Sequence, residues 1–332
     1  MAGLVDGKWV DTLPAAEEIG PDGRFRRIDS AFHGTISPDS SSEFPAEPGR
    51  YHLWVAYVCP WASRALAVRA LKGLEDVISV SAARPGQPPE GWVFDEGPDG
   101  PSDGSSDTAG DSGYPLYRLY VENNPGYTGK VTVPTLWDKQ QRKIVNNESA
   151  EIIRILNTAF DGITGNRLDL YPEPLRPEID RWNERIYPAV NNGVYRAGFA
   201  TTQDAYDEAV HGLFAMLDRI EAHLTSSRYL AGGYCTEADW RLFTTLVRFD
   251  VAYYGAFKCN IRRIADYPAL SNYLRELYQW PGIAGTVKFD QIKSGYYALA
   301  DKHRIVAAGP EIDLSLPHDR ERLPGKGIFF RT

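Results

Sequence analysis

The chain has 332 residues, with 44 acidic against 36 basic side chains and a net charge of −8. That length holds two domains or one large one with a real core. The acidic balance argues against a nucleic-acid surface or an anionic membrane surface, and no stretch is long and apolar enough to span a bilayer. The start, Met1-Ala2-Gly3-Leu4-Val5-Asp6-Gly7-Lys8, lacks the basic and apolar regions of a signal peptide. Three cysteines, Cys59, Cys235 and Cys259, make no disulfide framework and have no zinc-ligand spacing, so no metal is expected. These features read as a cytoplasmic, reducing-compartment protein. Aromatic residues are plentiful (8 Trp, 19 Tyr, 13 Phe), more than enough to pack a core and line a site for a flat ligand.

Residues 1–45 carry scattered Gly, Pro and Ser with little periodicity and read as an extended arm wrapping the surface. A strand over 51–57, a helix over 61–74 and a strand over 77–81 follow as a β-α-β unit, which implies a right-handed crossover and an α/β sheet. Helical spacing in the middle element buries Ala65, Leu66, Val68, Leu71 and Leu74 and exposes Arg64 and Lys72. Residues 95–113 hold six acidic side chains and no basic one, the composition of a solvated insertion. A strand over 131–138, interrupted by Pro134, turns through 139–143 into a short antiparallel strand at Ile144-Val145. Asn146-Asn147-Glu148-Ser149 then opens a helix, with Asn147 as its cap, whose apolar stripe is Ile152, Ile153, Leu156 and Phe160. Past about residue 165 strand signals vanish. Helical patterns cover 177–190, 203–226, 237–249, 267–279 and a shorter piece near 283–294, and a Pro/Gly-rich tail occupies 307–332.

Cys59 carries the chemistry. It sits where a strand runs into a helix, with Pro60 at the first helical position. Unpaired N–H groups and the positive end of the helix dipole there favour a thiolate. Trp61-Ala62 fills the positions where a dithiol motif would place its second sulfur, so the site works through a mixed disulfide with an external thiol. Val133-Pro134 is the second signal: a proline within a strand sits where no ladder N–H is needed. Beside an active sulfur, such a proline leaves the preceding backbone free to pair with a bound peptide, as in thioredoxin-like folds. Glu148-Ser149 is the third. At a helix start they suit the α-amino acid end of a γ-glutamyl group, Ser149 donating to its carboxylate and Glu148 accepting from its ammonium.

These three pieces, in this order, resemble the glutathione site of the glutathione transferases. Tyr229-Leu230-Ala231-Gly232-Gly233-Tyr234-Cys235-Thr236-Glu237-Ala238-Asp239 is similar to that superfamily's capping box, with Thr236 capping and Asp239 returning the bond. A closer resemblance is carried by Cys59-Pro60-Trp61-Ala62, Gly91-Trp92-Val93-Phe94, Tyr127-Thr128-Gly129-Lys130-Val131-Thr132-Val133-Pro134, Ile144-Val145-Asn146-Asn147-Glu148-Ser149, Asn191-Asn192-Gly193-Val194-Tyr195-Arg196-Ala197-Gly198-Phe199 and Phe257-Lys258-Cys259-Asn260. Together they resemble the glutathionyl-hydroquinone reductases, the Xi class of glutathione transferases.

The resemblance implies an α/β thioredoxin-like domain over 46–163, binding glutathione, followed by an all-α substrate domain over 166–306. It implies Cys59 as nucleophile and Tyr195, Tyr253 and Tyr296 as substrate-pocket hydroxyls, with Tyr254 or Tyr297 as alternatives to the last two. Trp92, Val133, Pro134, Glu148 and Ser149 would hold glutathione. The implied reaction is glutathione-dependent reduction of glutathionyl-hydroquinones by a homodimer. An omega-like thioltransferase or dehydroascorbate reductase, or a non-catalytic binding protein on the same fold, is the alternative.

Overall fold

The computed structural model describes residues 2–11, 13, 18–86, 89–98, 113–300 and 305–331. Residues 99–112 of the acidic run lie outside the described residues. Tyr51–Val55 is rich in aromatic and β-branched residues and forms an inner strand with only His52 not fully buried. The sheet has four strands in the order Ser79–Ala82, Tyr51–Val55, Thr135–Asp138, Lys143–Asn146. Leu53 stands opposite Val80 in the parallel pairing and opposite Leu136 in the antiparallel one. The strand expected over 131–138 forms only from Thr135, immediately after the cis Val133–Pro134 bond, because a proline has no N–H to give the ladder.

The helix Pro60–Leu71 makes the crossover. Arg64 and Lys72, expected on a solvent face, are 1% and 0% exposed. Helices Ser149–Thr158 and Glu237–Arg248 both pack on this helix, so no solvent stripe remains and helical periodicity misreads it. Lys72 is satisfied by the carbonyls of Asn166 (3.0 Å) and Leu168 (2.6 Å) and by Asp161 (2.7 Å).

The second half is helical: Arg176–Ile186, Gln203–Leu224, Glu237–Arg248, Pro268–Tyr278 and Phe289–Ala300 are its main elements. The last begins later than expected, after a short turn at Ala284–Thr286. Two helices run on into wider π turns, Tyr187–Asn191 and Phe249–Tyr253. Short helices at Tyr117–Asn123 and Gly193–Gly198 fall where none was expected. Strands do recur after residue 165. Gly327–Phe330 lies between Tyr234–Cys235 and Leu168–Asp169 in a three-stranded sheet. The segment read as a tail is therefore docked, and Arg320 in it is fully buried, donating to the carbonyls of Leu224, Ser227 and Arg228.

Asp239 returns the capping bond as expected, accepting from Thr236 N (2.8 Å). It also accepts from Leu230 N (2.9 Å) and the Tyr273 hydroxyl (2.8 Å), all buried. Asp239→Ala takes the acceptor from these three buried donors and from the Thr236 hydroxyl (3.1 Å), and is expected to cost about 3 kcal/mol or more. A urea denaturation midpoint lowered by less than the equivalent of about 1 kcal/mol would contradict that role.

The arm is a working part of the fold. A hairpin, Gly3–Val5 with Lys8–Val10, is tied to Gly129 through Leu4. Residues 32–34 then run along the edge strand Lys143–Asn146: Gly34 N donates to Val145 O and Asn147 N to Phe32 O. Further upstream the arm reaches the helical half, where Arg24 pairs with Glu208 at 2.6 Å.

Candidate active site

Cys59 caps the helix Pro60–Leu71 from an extended backbone conformation. Its thiol donates to the carbonyl of Val133 at 3.4 Å, so the first two sequence signals meet. The third joins them through Asn147. Its side-chain amide donates to the Tyr120 hydroxyl (3.1 Å) and Thr132 Oγ1 (3.2 Å), while Thr132 N donates back to that same hydroxyl. The cap of the helix Ser149–Thr158 is Glu148, not Asn147: Glu148 accepts from Ala150 N at 2.9 Å. Asn147 is turned inward, and its Oδ1 receives the N–H groups of Ala31 and Phe32 from the arm.

Four polar side chains that sequence reasoning did not select complete this arrangement. Ser30 donates to Glu148 Oε2 at 3.0 Å. Arg64 lies over the Trp61 ring at 4.5 Å and donates to Ser149 Oγ (3.3 Å) and Asn191 Oδ1 (3.1 Å); its burial pulls the guanidinium down to about 9. Arg248, fully buried, reaches across from the helical half to the carbonyls of Tyr57 (2.8 Å), Val58 (3.1 Å) and Cys59 (3.4 Å). Arg27, from the arm, stands over Trp61 and Tyr195. None of the four carries a local signal; each reaches the site through a contact distant in sequence.

The electrostatics of the sulfur differ from the sequence expectation. Burial pushes the Cys59 thiol above its ordinary value. The amides of Ala62 and Trp61 and the charges of Arg248 and Arg27 pull the other way without overcoming it. The helix terminus is there, but removal of water costs the thiolate more than the terminus returns. Because only the thiolate alkylates, iodoacetamide labelling of Cys59 in the ligand-free protein is expected to climb with pH through the alkaline range. A plateau at neutral pH would show a depressed thiol instead.

The tyrosines selected from the sequence come together. Tyr296 shares hydrogen bonds with Tyr195 (2.6 Å) and Tyr253 (2.9 Å), and all three are buried. Burial pushes each phenol up, so at neutral pH they are hydroxyl donors, not phenolates. Tyr195 stacks on Trp61 (6.2 Å, 26°), which places the cluster beside the first turn after Cys59. Gly295 permits this: a Cβ there would lie 2.6 Å from a methyl of Val58, so only glycine lets the helix bearing Tyr296 sit against the cysteine loop. Tyr297 instead turns its hydroxyl toward Gly255. Trp92 is half-buried just before the strand Val93–Phe94, and its carbonyl accepts from Leu116 N; among the described residues its ring makes no hydrogen bond or ring stack with the Cys59 loop. Cys235 and Cys259 are fully buried, and burial pushes both thiols up. No group of three or more His, Cys, Asp or Glu among the described residues is placed to hold a metal.

Residues 58–159 match the model of the glutathione S-transferase N-terminal domain, and residues 203–276 that of the C-terminal domain. Glutathionyl-hydroquinone reductase YqjG of Escherichia coli strain K12 is 48% identical over 330 residues, covering 97% of this chain and 99% of that one. Glutathionyl-hydroquinone reductase PcpF of Sphingobium chlorophenolicum is 49% identical over 294 residues, covering 89% and 90%. Among solved structures, a Xi class glutathione transferase from Natrialba magadii superposes with a TM-score of 0.85 at 45% identity, covering 98% of each chain. The glutathione-bound structure of YqjG gives 0.82 at 45% identity, covering 96% of this chain and 98% of that one. The chain belongs to the glutathione transferases and, within them, to the Xi class, the glutathionyl-hydroquinone reductase family.

Proposed function

We propose that this protein reduces glutathionyl-hydroquinones to hydroquinones, with Cys59 as the nucleophile and glutathione as the second substrate. The observation that carries the reading is a lone cysteine at a helix start beside three mutually bonded, neutral phenols. The Cys59 thiolate attacks the glutathione sulfur, the bond from that sulfur to the aromatic ring breaks, and free glutathione resolves the mixed disulfide. The products are the hydroquinone and oxidised glutathione, and a single thiol suffices for both steps. The leaving ring gains an electron pair and needs a proton and stabilisation of its charge. Tyr195, Tyr253 and Tyr296 donate toward its oxygens. Thiolate is scarce at neutral pH because of burial, but what forms is a strong nucleophile, since nucleophilicity rises with thiol pKa.

Val133 and Pro134 flank the cysteinyl part of glutathione, Glu148 and Ser149 its γ-glutamyl end, and Trp92 lies against it. The enzyme is a homodimer of the cytoplasm, where its three thiols stay reduced. No helix among the described residues is long and apolar enough to cross a membrane. The test is to mix the protein with a glutathionyl-hydroquinone and excess glutathione. Hydroquinone and oxidised glutathione are expected in equal amounts. No turnover, with Cys59 still alkylating, would direct attention to disulfide or dehydroascorbate substrates.

A further inference from the structure

Arg27 belongs to the arm, but its guanidinium lies among the rings of the site. Its central carbon is 4.6 Å from the Tyr195 ring centre, 4.8 Å from Trp61 and 5.4 Å from Phe25. Nε donates to Asn192 Oδ1 at 3.0 Å. Nη2 is shut off from solvent and has no hydrogen-bond partner among the described residues. A buried guanidinium N–H left unpaired is costly, and native structures rarely keep one without a use. Aromatic faces hold the cation in place and leave that N–H free for an acceptor. The rings it lies over belong to the site: Trp61 is in the first turn of the helix that Cys59 caps, and Tyr195 carries one of the bonded phenols. The γ-glutamyl end of the site has its own polar partners, Ser30, Arg64 and Ser149.

We infer that Arg27 is a further catalytic residue, whose free Nη2 binds the oxygen of the aromatic leaving group and stabilises the oxyanion formed as the carbon–sulfur bond breaks. The inference rests on the reductase reading above. In the keto tautomer of the substrate, the ring carbon that bears sulfur already holds a proton. Attack by the Cys59 thiolate forms the sulfur–sulfur bond. The carbon–sulfur electron pair moves into the ring and ends on oxygen as a phenolate. The proton that left Cys59 balances the one the phenolate takes up. The two sulfurs are oxidised to the mixed disulfide, and the ring is reduced to the hydroquinone. A guanidinium N–H shut off from water stabilises that oxygen far more than it would in solution.

The test compares wild type, Arg27→Met and Arg27→Lys on glutathionyl-hydroquinones with methyl, unsubstituted and chlorinated rings, whose hydroxyls grow more acidic in that order. Arg27→Met is expected to lose about 100-fold in kcat/KM on the least acidic ring and progressively less as acidity rises, because a better leaving group needs less help. Arg27→Lys keeps the charge and is expected to recover part of the loss; it carries the same comparison if the Met variant fails to fold, which thermal melting reports. The KM for glutathione in the resolving step is expected to stay unchanged. An equal loss across the series, with a raised KM for glutathione, would assign Arg27 to a glutathione carboxylate and overturn the inference. No loss at all would also overturn it. Absence of turnover by the wild type would refute the reductase reading itself, and this inference with it.

Discussion

Cys59→Ser is expected to bring glutathionyl-hydroquinone turnover down to background, a loss of about 1,000-fold or more. The substitution is nearly isosteric, and the hydroxyl can donate to the Val133 carbonyl as the thiol does. The fold and the bound glutathione should therefore be kept. What disappears is the sulfur proposed to take glutathione off the ring, since an oxygen forms no mixed disulfide. Mass spectrometry of the wild type after substrate addition without free glutathione should find one glutathione on Cys59. Turnover retained in the serine variant, or an adduct on Cys235 or Cys259, would remove Cys59 from the mechanism.

Arg248→Met should combine a large loss of stability with a loss of chemistry. The side chain is fully buried and donates to three successive carbonyls, those of Tyr57, Val58 and Cys59, as well as to Thr244. Methionine fills similar volume and offers no donor. The cost is about 3 kcal/mol, mainly for carbonyls left buried and unpaired. The cysteine loop also loses the bond that fixes it to the helical half. Arg248 pulls the Cys59 thiol toward its ionised form, so its removal moves that thiol further up. Alkylation at a fixed, mildly alkaline pH should slow, beyond what any unfolded fraction explains. A variant that melts like the wild type and alkylates at its rate would show that the clamp is dispensable.

Signals confined to a few neighbouring residues were legible in the sequence. Cys59-Pro60 at the end of a strand, Val133-Pro134 and Glu148-Ser149 each announce themselves locally, and the fold brings all three to one place. The phenol cluster was legible only through resemblance, because Tyr195, Tyr253 and Tyr296 share no spacing. Arg27, Arg64 and Arg248 were not legible. A charged residue at helical spacing reads as a solvated face, and nothing in its neighbourhood says that a second domain covers it. Arg64 shows this best: it was expected outside and lies between Ser149 and Asn191. The docked strand Gly327–Phe330 escaped for a related reason. Its partners are two residues long, too short for alternation to register.

The arm that brings Ser30 and Arg27 to the site also sets an order of assembly. Its anchors join residues far apart in the chain: Arg24 to Glu208 across 184 positions, Arg27 to Asn192 across 165 and Ser30 to Glu148 across 118. Contacts of such long range are entropically expensive to close before the intervening chain is compact. Both halves must have formed and docked before the arm has a surface to lie on. Ser30 and Arg27 therefore join the site in the last stage, once Glu148 and Asn192, which receive them, are in place.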